Sequence, residues 1–217
     1  MKNNILAIGA HPDDIEFGCS GTLAKHIANG DNVHVLVMTG TQSVDGTNDK
    51  VIRSMKQLYS EIDNALTAMG IDKCNNLGFT DLRVPFNLDS VSGIEKCIKQ
   101  ENIDTIYTHW EGDANQDHIA TFQSTMAAAR YVPNVYCYEQ IPIKRQYLNQ
   151  FNPNYYVDIT DTMDVKINAS NAHVSQIQKY NAVGLDVIEN LTTLAKYRGI
   201  QAGTLYAEAF HIIKQVG

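Results

Sequence analysis

The stretch Ile5-Leu6-Ala7-Ile8-Gly9-Ala10-His11-Pro12-Asp13-Asp14 decides how this chain is read. Its first half is a short apolar run, the pattern of a buried strand. Its second half carries three polar, metal-competent side chains: His11, Asp13 and Asp14. In an open α/β sheet, ligands bind outside the carboxyl ends of the strands. A histidine and two carboxylates at that position point to a metal hydrolase. The competing reading is a plain loop whose aspartate caps a helix.

Outward from this stretch, short apolar runs alternate with helical periodicity, the signature of βαβ units and a largely parallel sheet. Strands are expected at about 4–9, 33–38, 75–79, 103–108, 135–139, 155–159 and 206–214. Helices are expected at about 20–29, 51–69, 90–100 and 116–130, from about 161, and at about 176–197. Residues 39–50 are rich in Gly, Thr, Asn, Asp and Ser and read as a mobile loop at the His11 edge. The fold class is therefore α/β: a Rossmann-like three-layer fold with a mostly parallel sheet and helices on both faces. No repeat, low-complexity tract or linker divides residues 1–217, so a single domain is expected. Strand order does not follow from the pattern.

The bulk composition narrows the function. The 217 residues are 44% hydrophobic and 19% charged, ordinary for a globular domain with a sizeable core. The net charge of −7, without a basic tract, argues against a nucleic-acid partner. Cys19, Cys74, Cys97 and Cys137 are widely spaced and form no C-x-x-C, so reduced thiols are expected rather than a disulfide frame. No stretch approaches a membrane span or a signal peptide, which predicts a cytoplasmic protein.

A second polar segment, Asp113-Ala114-Asn115-Gln116-Asp117-His118, follows the strand that ends at Thr108 and opens a helix. It is thus expected at the same sheet edge as residues 10–14, where His118 can meet His11. Two imidazoles and a carboxylate are a common catalytic zinc set, with a fourth position for water. The helix N-terminus is expected to help keep the His118 ring neutral, the ligating form.

At this level of detail the chain resembles the PIG-L/LmbE-like de-N-acetylases, metal-dependent enzymes that deacetylate N-acetylglucosamine conjugates. The resemblance rests on Ala10-His11-Pro12-Asp13-Asp14, Glu16 and Gly18-Cys19-Ser20-Gly21-Thr22-Leu23, then on Asp117-His118. It extends through Leu77–Asp81, Phe151–Ile159, Lys166, Arg198-Gly199 and Ala207–Phe210. It implies His11, Asp14 and His118 as ligands of Zn2+, with Fe2+ or another divalent ion as substitutes. It implies Asp13 as the general base. It also implies a homo-oligomer, trimeric or hexameric, acting on a small N-acetylated sugar; the charge and the lack of an apolar span predict no nucleic-acid or membrane partner.

The chain departs from the family pattern twice. Many members carry a histidine where this chain has Asn115, and an amide can donate to an oxyanion but cannot carry a proton. Asp13 is therefore expected to handle proton transfer, with Asn115 as the oxyanion donor. Ser20 replaces a usual glycine and is expected to cap the first helix.

Around this centre, Asp81, Arg198 and Trp110 are the substrate-binding candidates, with Arg53 behind them. A guanidinium offers several donors in fixed geometry, and an indole can stack on a sugar ring. Asp117 reads either as a carboxylate orienting a ligand or as helix-terminal charge. His109 is as consistent with substrate contact as with packing, and His173 reads as a surface residue.

Two rival functions stand against a hydrolase. A nucleotide-binding domain would need a G-x-G-x-x-G after the first strand, and Ala10-His11-Pro12 stands there instead. A non-catalytic metal-binding or scaffold relative has Asn115 as its support.

Overall fold

In the computed structural model of the chain, the described residues are 2–41, 43–44, 51–72, 74–141 and 149–216. The chain runs through β1 (Asn4–Gly9), α1 (Asp14–Ala28), β2 (Asn32–Thr39), β3 (Ser43–Val44), β4 (Val51–Arg53), α2 (Met55–Met69) and β5 (Cys74–Phe79). It continues through α3 (Leu88–Gln100), β6 (Thr105–Thr108), α4 (Gln116–Ala128), β7 (Asn134–Tyr138) and β8 (Tyr155–Asp158). A 3-10 turn at Thr160–Thr162 leads into α5 (Met163–Asn171), α6 (Val174–Asn181), α7 (Val187–Ala202) and β9 (Ala207–Lys214).

The main sheet has the order β5-β2-β1-β6-β7-β9-β8. The first five strands are mutually parallel, while β9 is antiparallel to both β7 and β8. The order reverses between β1 and β6: the chain moves outward from β1 through β2 to β5, then returns to place β6 on the other side of β1. Such a switch point opens a crevice at the carboxyl ends of the two strands. The segments 10–14 and 109–118 leave those two ends.

The apolar runs follow from burial on both sheet faces. In β1, Ile5 and Ala7 join the core cluster with Leu58 and Ile62 of α2 and Ala169 of α5. Leu6 and Ile8 join the opposite cluster with Ile94 of α3 and Ala120 of α4. Side chains alternate across a strand, so a strand covered on both sides must be apolar throughout. This confirms the expected three-layer arrangement. No helix among the described residues is long and apolar enough to cross a membrane.

Several elements differ from expectation. Helix α1 begins at Asp14 rather than near residue 20, and eleven of its residues, from Asp14 to Ala24, are buried. A helix enclosed by the sheet and by α2 and α5 shows no polar stripe, so periodicity cannot locate its start. Ser20 therefore lies inside α1 and caps nothing: its hydroxyl donates to the Glu16 carbonyl at 2.7 Å. Residues 51–53 form β4, paired antiparallel with β3, and α2 starts only after Ser54, whose side chain accepts from the Gln57 amide. The expected helix 176–197 is two helices, with Gly184 at a φ of +77° in the break. Of the predicted loop 39–50, residues 42 and 45–50 lie outside the described residues.

Candidate active site

Two strand ends build the site. Beyond β1, the turn at 11–13 closes through the Asp14 amide, which donates to the His11 carbonyl at 3.3 Å. Beyond β6, Asp113 and Asn115 prepare the start of α4. The Asn115 side-chain oxygen accepts from the Asp117 amide at 2.9 Å, an N-cap, and the Asn115 amide donates to Asp113 Oδ1 at 2.8 Å. His118 sits in the first turn of α4 and faces back across the crevice.

His11, Asp14 and His118 come together. His11 Nδ1 lies 3.4 Å from Asp14 Oδ2, and His118 Nε2 lies 3.3 Å from Asp14 Oδ1. Two donors about 2.1 Å from one tetrahedral ion stand about 3.4 Å apart, so these spacings fit a shared divalent cation. The outer ring nitrogens support the same fit. His118 Nδ1 lies 2.7 Å from Asp113 Oδ2, and His11 Nε2 lies 3.0 Å from Asp117 Oδ2. A carboxylate behind each imidazole fixes its orientation and raises its basicity, the usual outer shell of a metal-binding histidine. Two other groups also have metal-ligand spacing: His109 with Asp113 and His118, and His11 with Asp81 and Asp117. They draw on these same supporting carboxylates. Only the first group leaves both imidazoles held from behind.

Asp117 does more than supply charge at a helix end. It is fully buried, and its two oxygens accept from the Leu82 and Val84 amides at 2.8 and 3.1 Å. It thereby ties the turn after β5 to His11 and brings Asp81 Oδ1 to 3.2 Å from His11 Nε2. Asp13 is the N-terminal flanking residue of α1 but makes no capping hydrogen bond. Its carboxylate, in a residue only 7% exposed, has no side-chain hydrogen bond or ion pair among the described residues.

The local electrostatics are set by the carboxylates around the rings. Burial works against a charged His118, but Asp14 and the bond to Asp113 outweigh it and raise its pKa to about 9. The two adjacent carboxylates act on this ring more strongly than the partial charge of the helix N-terminus. His11 is likewise raised against the effect of burial, by Asp117, Asp14 and Asp81. Asp14 is held well below the usual carboxylate range, the histidine charges overcoming burial. A cation held by these residues would take the place of the imidazole protons. His109 goes the other way: burial, then the neighbouring His118 charge, lowers it to about 4.

Two residues given no role in the sequence reading belong to the site. Asp113 was visible as part of the motif, but its five-residue offset from His118 becomes a contact only through the turn before α4. His109, left undecided, is fully buried with its ring stacked on His118 at 4.0 Å between centroids. Its Nε2 lies 3.1 Å from Asp14 Oδ2.

The described contacts of Arg198 and Trp110 run elsewhere. The Arg198 guanidinium binds Glu139 through Nε and Nη2 and Gln201 through Nη1. The Trp110 indole packs edge-on against Phe151 in a cluster with Cys137 and Ala209. Arg53 pairs with Glu61, which also accepts from Ser175. His173 is not at the surface: it is fully buried, 3.4 Å from Glu16 and edge-on to Phe17.

A doubly wound α/β fold with a His–Asp–His group at its switch point defines a class of metal-competent hydrolase-like domains. Comparison with known proteins makes the assignment specific. The PIG-L model, described as GlcNAc-PI de-N-acetylase, matches residues 6–129, more than half of the chain, and the chain belongs to that family. It is 37% identical over 145 residues to the uncharacterized deacetylase YaiS of Escherichia coli K12, covering 64% of this chain and 74% of that one. It is 28% identical over 227 residues to the diacetylchitobiose deacetylase of Thermococcus kodakarensis, covering 96% and 82%. A conserved protein from Thermus thermophilus shares the fold, with a TM-score of 0.81 at 24% identity over 100% of this chain and 97% of that one.

Proposed function

We propose that this chain is a zinc-dependent amide hydrolase that removes the acetyl group from an N-acetylated amino sugar or small glycoconjugate, releasing acetate and a free amine. One observation carries the reading: each imidazole of the His11–His118 pair spends its outer nitrogen on a carboxylate and turns its inner nitrogen to Asp14. His11, Asp14 and His118 would hold the ion, and Fe2+ or another divalent metal suits the same donors. When bound, the ion would supply Lewis-acid polarisation of the amide carbonyl and a lowered pKa for a water.

The chain's own residues supply the rest. Asp13, whose carboxylate has no hydrogen bond among the described residues, takes the proton of the attacking water and returns it to the leaving amine. Asn115 uses its Oδ1 as a helix cap, so its Nδ2 is the group that donates to the carbonyl oxygen as charge develops there. Asp81, beside His11, is assigned to a substrate hydroxyl. Arg198 and Trp110 have no direct substrate role in this reading, because Glu139 and Phe151 already occupy them. A buried Asp13 with no hydrogen bond to its carboxylate among the described residues favours catalysis over the scaffold alternative. The four free cysteines fit a reducing, cytoplasmic setting, and assembly into trimers or hexamers follows from the family resemblance.

The test combines metal analysis with amine release from a panel of N-acetylated sugars: N-acetylglucosamine, N,N′-diacetylchitobiose, and uridine-diphosphate and malate conjugates. At least one is expected to be deacetylated by the metal-loaded protein. Asp13→Asn is expected to keep the metal and lose turnover by about 10²–10⁴-fold. Retained turnover in that variant refutes the role of Asp13. Bound metal with no hydrolysis of any N-acyl sugar favours the scaffold.

A further inference from the structure

We propose that Leu82 is a specificity-determining residue: its side chain is the apolar surface that receives the aglycone of the N-acetylated sugar, so that conjugates with an apolar group at the anomeric carbon are preferred. This deepens the deacetylase reading of the site and rests on it.

Leu82 holds a backbone conformation that its side chain opposes. Its φ is +65°, and the other non-glycine residue with a positive φ among the described residues is Asn102. Asparagine tolerates the left-handed region, whereas a branched apolar residue there is an outlier. The main chain has a use for this geometry. The Arg83 amide donates to the Thr80 carbonyl at 3.0 Å and closes a turn with Leu82 at its third position, where a positive φ suits glycine or asparagine. The turn hands the Leu82 and Val84 amides to Asp117 at 2.8 and 3.1 Å, and brings Asp81 to 3.2 Å from His11. None of these contacts uses the Leu82 side chain. Nor does the core: Leu82 is 41% exposed and enters no buried cluster of the described residues. Glycine would build the same turn without the strain. An outlier that neither the turn nor the core requires points to a use outside the fold.

Its location names that use. Strand β5 is parallel to β2, and β2 to β1, so the turn after β5 lies at the sheet edge that carries residues 10–14. Contacts of 2.8 and 3.0 Å join the Leu82 amide to Asp117 Oδ2 and that oxygen to His11 Nε2. Leu82 also follows directly on Asp81, the residue assigned to a sugar hydroxyl. In an N-acetylated 2-amino sugar the acetamide sits beside the anomeric carbon. With the amide at the His–Asp–His group, the anomeric substituent is therefore among the nearest parts of the substrate. A leucine side chain has no donor or acceptor and rewards only apolar area removed from water. Asp81 then holds the sugar, and Leu82 selects what the sugar is attached to.

The test measures amine release from the methyl and phenyl glycosides of N-acetylglucosamine, as both anomers, by the zinc-loaded wild type, Leu82→Asn, Leu82→Gly and Leu82→Met. Thermal melting and size-exclusion chromatography accompany each protein. The wild type is expected to favour one phenyl anomer over its methyl counterpart about tenfold in kcat/KM, through KM rather than kcat. The Asn and Gly variants are expected to lose that ratio, to keep wild-type kinetics on the methyl glycosides and to melt no lower than wild type. The Met variant, which keeps the apolar surface, is expected to retain the ratio. A wild type without the preference overturns the proposal, as does an Asn variant that keeps it or slows both substrates alike. So does an Asn or Gly protein that melts lower or does not fold, because the side chain then serves the fold. A smaller assembly of the Asn variant with an unchanged ratio also overturns it, and makes a second copy of the chain the partner of Leu82. A wild type that deacetylates none of the glycosides refutes the deacetylase reading itself, a different result from an active wild type that ignores the aglycone.

Discussion

Helix α1 carries two buried charged clusters built on opposite logic. Further along the helix, Lys166 donates to the Glu16 and Phe17 carbonyls and to Glu208, while Glu208 accepts from the Gly21 and Thr22 amides and the Thr22 hydroxyl. Here donors and acceptors match, and the cluster locks α1 to α5 and β9. At the start of the helix the match fails. Asp14, Asp81, Asp113 and Asp117 crowd around His11, His109 and His118, and neither the adjacent Asp13 carboxylate nor His109 Nδ1 has a hydrogen bond among the described residues. Equal burial thus serves opposite ends. Matched charges hold the fold, whereas a surplus of carboxylates with spare lone pairs suits the cation and substrate of the proposed function.

The sharpest break of this contrast is His118→Ala. It is expected to abolish metal binding and turnover together while circular dichroism shows the fold retained. A variant that keeps stoichiometric metal removes His118 from the ligand set. In the matched cluster, Lys166→Met should do the reverse. It leaves Glu208 buried without its cation and should cost about 3–5 kcal/mol in urea unfolding, with metal stoichiometry unchanged in the protein that remains folded. A loss below about 1 kcal/mol would mean that the pair does not hold the helix. Asn115 tests the border between the two roles. Asn115→Ala loses the cap, worth about 1 kcal/mol, as well as the donor. Asn115→Asp keeps a capping oxygen and loses only the donor, so stability should hold while kcat falls about 10²–10³-fold. Wild-type kcat in the Asp protein would leave Asn115 as a cap alone.

Much of this was legible in the chain. The strands showed because two-sided burial forces apolar runs such as Ile5–Ile8 and Val35–Met38. Helix ends showed where the chemistry is local, as at Gly70, the left-handed residue that closes α2. What stayed hidden had no local signature. The start of α1 was masked by burial on all sides. The β3–β4 pairing was read as helix and loop. His173 looked like a surface residue until α6 placed it against Glu16.

The site divides the same way. By itself the sequence determined which groups are available: two imidazoles and adjacent carboxylates, each following an apolar run that must be a strand. It also placed them at one sheet edge, because parallel strands bring their carboxyl ends together. Only the tertiary structure decided which carboxylate does what. Asp113 and Asp117 came to lie behind His118 and His11, Asp14 between the two rings, and Asp13 without a side-chain hydrogen bond among the described residues. The order of β1 and β6, and the turns after them, set those distances. A difference of an ångström or two separates a ligand from a support, and no residue spacing along the chain encodes it.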